Sequence, residues 1–133
     1  TQEIEVDDRK NFSIKARMLF LGGTESNGYG LSWGAGEGLN SFSFVVSANG
    51  LLNIVYFVDG QRFPICEWQK NPAINQGRAL NILEIVKKGE IVHFKVNDEV
   101  VFTYAFISFF GNKFGFVLYQ NMKVAVDLFQ IRN

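Results

Sequence analysis

Residues 27–48 alternate so regularly that they read as one β-hairpin. Tyr29, Leu31 and Trp33 alternate with Gly30, Ser32 and Gly34. After a glycine-rich connection, Phe42, Phe44 and Val46 alternate with Ser41, Ser43 and Ser47. Successive side chains on a strand point to opposite faces. One face is therefore bulky and apolar, and the other is almost bare. The bulky face asks for a core, since large aromatics bury roughly 150–250 Å² each. The bare Gly/Ser face has two readings. It packs closely on a neighbour or lies open to water, or it is a shallow groove kept clear for a flat ligand.

The rest of the chain repeats the pattern. Residues 12–20 carry Phe12, Ile14, Ala16 and Met18 on one face and Ser13, Lys15 and Arg17 on the other, which is half-buried alternation. Asn49-Gly50 is the strongest turn signal, because both residues tolerate positive φ. Further strands are predicted at 4–6, 51–58, 61–68, 80–86, 91–96, 99–104, 114–119 and 122–131, with a polar loop at 69–78 and an irregular aromatic connection at 105–113. No helix is predicted. About eleven short strands joined by turns indicate an all-β antiparallel sandwich of two sheets, one domain over residues 1–133.

Charge and cysteine usage narrow the function classes. Thirteen basic and thirteen acidic residues leave no formal net charge. Nucleic acid asks for a basic footprint, so it is not the expected partner, and an anionic membrane surface is disfavoured for the same reason. No apolar run is long enough for membrane insertion. Cys66 is the only cysteine, so no internal disulfide forms, and it does not decide the compartment. The strand-like start at Thr1 reads as a mature or excised piece, one domain of a larger chain.

The order of these signals resembles the concanavalin A-like lectin and glucanase superfamily, as a short bacterial jelly-roll domain. The resemblance is carried by Asn-Gly-Tyr-Gly-Leu-Ser-Trp-Gly at 27–34, Phe42-Ser-Phe with Asn49-Gly50, Trp68 before a polar loop, Asn81-Ile-Leu-Glu-Ile, the Phe94-Lys-Val-Asn-Asp turn, the 111–116 stretch and the closing Val126-Asp-Leu-Phe. It covers nearly the whole chain from Phe12. It implies two curved sheets, with ligands met on the concave face or at its rim, and an extracellular or periplasmic setting. Fold alone does not settle activity.

Several constellations bear on chemistry. Glu3, Glu5 and Asp7 would share one face of a strand, and resemble the acidic strand of laminarinase-type glucanases. A retaining pair needs its carboxyls roughly 5–5.5 Å apart. The order here departs from that pattern, Glu-x-Glu-x-Asp near the chain start, and reads first as a solvated edge strand whose charges discourage edge pairing. Gly30-Leu-Ser-Trp-Gly34 matches the Gly-x-Ser-x-Gly elbow, but that motif needs a helix after it. His93 and Lys95 point away from the core together, and one histidine with one cysteine is too little for zinc. Galectin-type sugar binding is not expected, because Asn71-Pro72 lacks the flanking His and Arg of that family's motif. Asp59, Asp98 and Asp127 lack the spacing of a calcium loop, so a structural calcium has no support and no cofactor is expected.

The more promising cluster is Trp68 with Glu67, Asn71 and Asn75. Sugars stack on aromatics and take hydrogen bonds from amides and carboxylates, and a tryptophan at a strand end is such a platform; the alternative is an aromatic lid over the sandwich edge. Ser32 and Ser43, on the bare hairpin face, complete the candidate ligand-binding set. Phe106, Ile107, Phe109 and Phe110 close the core or, if exposed, offer a patch to a protein partner. The function expected is a non-catalytic module binding a glycan or a protein. A small laminarinase-like glycoside hydrolase and a structural protein-interaction domain of a larger chain are the alternatives.

Overall fold

In the computed structural model, which describes residues 1–133, the predicted hairpin is β3 (Gly28–Ala35) and β4 (Ser41–Ser47), with Leu31 opposite Phe44 and Trp33 opposite Phe42. β5 (Leu51–Val58) and β6 (Gln61–Lys70) continue that sheet. β10 (Lys113–Leu118) and the two-residue β1 (Gln2–Glu3) flank β3 on the other side. The second sheet runs β11-β2-β7-β8-β9, from β2 (Phe12–Gly23), β7 (Leu80–Lys88), β8 (Ile91–Val96), β9 (Glu99–Ala105) and β11 (Met122–Arg132). Every pairing is antiparallel, and there is no helix. The architecture is a two-sheet β-sandwich of six and five strands.

The apolar halves of the alternating strands meet between the sheets. Trp33 stacks on Phe42 at 5.3 Å between ring centroids and tilts against Phe94 of the other sheet at 5.8 Å. Phe44 meets Phe94 edge-on at 5.4 Å, and Tyr29 stacks on Phe20 at 5.8 Å. Each such pair adds about 0.5–1.5 kcal/mol beyond the area it buries.

The aromatic connection after β9 closes one end of the core. Phe110 stacks on Phe42 at 4.9 Å, and Phe109 lies 5.1 Å from Phe12. Gly34 makes the approach possible. Its φ is +56°, and a Cβ there would fall 2.7 Å from the Phe109 ring. The other end is plugged from the loop after β6, where Ala73 and Ile74 are buried.

One expected strand is corrected. Residues 4–6 leave the sheet after Glu3, and Ile4 and Val6 both pack against the edge of the core. The Ile4 N–H donates to the Asn112 carbonyl at 2.9 Å, and Asp7 and Asn133 exchange two hydrogen bonds. Strand pairing ends at Glu3 and the chain turns at Asp7, whose carbonyl accepts the Lys10 N–H at 3.1 Å, so Glu3, Glu5 and Asp7 do not line one ladder.

Candidate ligand-binding face

The outward face of the six-stranded sheet is far more enclosed than a solvent face. Val45, Asn53 and Val55 project from it on β4 and β5 and are buried, and Ser43 is 6% exposed. No third layer lies over them. Side chains from the rims of the same sheet therefore close over its middle strands. Trp68 reaches in from β6: a Cβ placed on Gly28 would sit 3.0 Å from Trp68 Cη2 and 2.9 Å from Val45 Cγ2. Tyr119, just past β10, donates its N–H to the Gly28 carbonyl at 3.0 Å. The result is a trough floored by β3, β4 and β5.

A β-bulge equips the β6 rim. Leu52 pairs with Gln69 and Ile54 with Cys66, so Asn53 faces two residues, Glu67 and Trp68. A bulge adds a residue and re-aims side chains. Cys66 stays in the core, and Glu67 and Trp68 both turn to the trough. Asn53 Nδ2 donates to the Cys66 carbonyl at 3.0 Å and holds the bulge. Arg62 Nη2 donates to Glu67 Oε1 at 2.7 Å. The guanidinium holds the Glu67 carboxyl below the usual carboxylate range. Glu67 in turn pushes Arg62 up. Both groups therefore stay charged at ordinary pH.

The floor holds an unpaired hydroxyl. Ser32 stands directly opposite Ser43, and Ser43 Oγ has no hydrogen-bond partner. Leaving such a group unsatisfied costs about 1–3 kcal/mol; the oxygen is fully covered, so it belongs to the packed floor and not to the surface a ligand meets. Trp68, 40% exposed, offers an aromatic surface on the same face, with its indole tip at Gly28. An aromatic surface and a fixed ion pair suit a polar ligand with flat apolar patches.

Four of the six residues expected from the sequence gather here: Ser32, Ser43, Glu67 and Trp68. Asn71 and Asn75 do not. Asn71 Oδ1 accepts the Ala73 N–H at 2.9 Å, and Asn75 Nδ2 donates to the Leu80 carbonyl at 3.0 Å. Both amides serve the backbone of their own loop. Arg62, Asn53 and Tyr119 were missed. Arg62 and Glu67 are five residues apart, which puts them on opposite faces of a regular strand, and only a second register shift, with Ile65 as the extra residue between Pro64 and Cys66, brings them to one side.

The acidic N-terminal residues lie apart from the trough. Glu3 pairs with Lys113 in β10, and Glu5 is exposed in an open basin beside Asp8. Arg9 hydrogen-bonds Asp7 at 3.1 Å and holds that carboxyl low, the wrong direction for a general acid. Ser32 lies mid-strand rather than on an elbow. Asp59 and Asp98 occupy turns and Asp127 pairs with Arg17, and no group of three or more His, Cys, Asp or Glu side chains converges. No helix is long and apolar enough to cross a membrane.

No protein-family model matches this chain, and no curated protein matches it. Solved structures do. The carbohydrate-binding module CBM66 from Bacillus subtilis superposes with a TM-score of 0.76 at 16% identity, over 92% of this chain and 75% of that one. Sheep galectin-11, solved with glycerol, gives 0.71 at 13% identity, over 98% of this chain and 95% of that one. The fold is a concanavalin A-like jelly roll. A protein of unknown function from Saccharomyces cerevisiae has a similar fold, with a TM-score of 0.61 at 12% identity over 92% of this chain and 69% of its own. Within this jelly roll the trough is the outer surface of the six-stranded sheet.

Proposed function

We propose that this chain is a non-catalytic carbohydrate-binding module that holds a glycan in the trough. The observation that carries the proposal is the enclosed face itself, with Trp68 and the Arg62–Glu67 pair on one surface. A sugar ring stacks its apolar face on Trp68, and its hydroxyls meet Arg62 and Glu67. Two solved structures of similar fold are a carbohydrate-binding module and a galectin, which supports a glycan as the ligand. The module works as one unit over residues 1–133, attached to a larger extracellular protein, and needs no metal or cofactor.

A glycan array followed by calorimetry on the best ligand tests this. Trp68→Ala and Arg62→Gln should each weaken binding at least tenfold, about 1.4 kcal/mol. If no glycan binds, or if both variants bind as the parent does, the trough is not a sugar site.

A further inference from the structure

The five-stranded sheet also turns a face outward, and its charge is lopsided. The strand residues projecting from it include Lys15, Arg17, Lys88, Lys95, Lys123 and Arg132, against Glu84 and Asp127 as the carboxylates. In a chain with equal numbers of acidic and basic residues, this side is strongly positive. Asp127 is taken by Arg17 at 2.7 Å, and Glu84 lies 3.7 Å from Lys95.

On this face Val86, Lys88, His93, Lys95 and Val100 wall a dimple of about 90 Å³. The pairing explains the grouping. His93 stands opposite Val86, and Lys95 is opposite Glu84 on one side and Val100 on the other. The two valines give dry walls, and the other three side chains bring nitrogens. His93 Nδ1 is covered and has no hydrogen-bond partner. A histidine of structural purpose has its ring fixed by a carbonyl or carboxylate; this one does not. Nδ1 is out of a ligand's reach, so the other edge of this uncommitted ring is the one left to meet a ligand.

We propose that the dimple is a second binding site, for a tetrahedral oxyanion: a sulfate or phosphate group, free or carried as a monoester. Lys88 and Lys95 supply ammonium donors, and the His93 imidazole supplies an N–H once its proton sits on the nitrogen that meets the anion. Charge-assisted bonds of this kind are shorter and stronger than neutral ones. Glu84 is the one carboxylate at the rim, and Lys15 stands opposite it on β2. The site lies on the other sheet from the trough, so it stands or falls independently of the glycan proposal.

The test is an amide NMR titration with inorganic sulfate and inorganic phosphate, with chloride at equal ionic strength as reference. Saturable shifts centred on Lys88, His93 and Lys95 are expected, with a Kd near the millimolar range. Lys88→Gln and Lys95→Gln should each weaken binding about tenfold, and Lys123→Gln, on the same face but outside the dimple, should leave it unchanged. Glucose 6-sulfate and glucose 6-phosphate tell an ester from the bare ion: tighter binding of either supports a monoester ligand, and equal binding supports the ion alone. Equal shifts with chloride, or equal loss in Lys123→Gln, would mean unspecific screening and overturn the site. The surface Lys→Gln changes are checked for fold by the same spectra.

Discussion

The Asn81 amide donates to the Tyr29 phenol at 3.0 Å, a buried polar contact between β7 of one sheet and β3 of the other. The same amide donates to the Asn75 carbonyl, and its oxygen accepts from the Asn75 N–H at 2.8 Å and from Asn97 Nδ2 at 2.9 Å. One asparagine thus ties two sheets, a loop and a hairpin turn. Tyr29→Phe should lower stability by about 1–3 kcal/mol, because it leaves a buried N–H unpaired. Urea unfolding with an unchanged m-value checks this; a neutral result would mean that water replaces the phenol.

Burial pushes the Tyr29 phenol up, with the Asn81 bond opposing in part. A group with a raised folded pKa keeps its full contribution below the unfolded value, near 10 for tyrosine. It loses that contribution as pH rises through the folded value. Stability should therefore fall on the alkaline side of about pH 10, and Tyr29→Phe should flatten that fall. Burial raises the Cys66 thiol in the same direction, so some alkaline slope remains in the variant.

Gly28 keeps the resting place of Trp68 clear. A Cβ there would crowd both Val45 and the indole, and the backbone conformation does not itself demand glycine. Gly28→Ala should therefore displace Trp68 and cost about 1–3 kcal/mol, the range for overpacking, because the buried Val45 has to give as well. Tryptophan emission should shift to the red, since Trp33 stays buried. Under the glycan proposal, affinity for the ligand should fall in parallel.

The 106–110 segment is structural where it meets the core. Phe109 touches the rings of Phe12, Phe42 and Phe114. Phe109→Ala should cost about 3 kcal/mol, in the range for removing a buried aromatic. An outward docking patch would instead give a near-neutral change in thermal midpoint.

Arg17 grips Asp127 through two bonds, at 2.7 and 3.0 Å, and holds its carboxyl below the ordinary range. A group with a lowered folded pKa contributes stability above the unfolded value and loses it as pH falls through the folded one. The NMR midpoint of Asp127 should lie below the ordinary value near 3.9 and return to it in Arg17→Gln. Lack of any shift between the two proteins would show that the pair does not persist in water, as exposed pairs often do not.

The hairpin at 27–48, the two sheets and the aromatic core were legible in the residue order, because strand alternation is local and Trp33, Phe42 and Phe44 have no other apolar face to share. The N-terminal carboxylates misled, because strand pairing stops at Glu3 and the chain turns at Asp7, where Arg9 takes the carboxylate. Asn71 and Asn75 misled too, because a polar loop residue looks the same whether it binds a ligand or caps its own backbone. Arg62 was hidden, since no local signal marks the register shift that brings it beside Glu67.

Two-residue periodicity and turn chemistry thus determined by themselves that this chain forms stacked antiparallel sheets, and which side chains face inward. Tertiary structure alone decided that the outer Gly/Ser face is enclosed. Closing the rims of a sheet over its middle and slipping one register depend on contacts between strands far apart in sequence, such as Trp68 over Gly28. No local pattern encodes those contacts.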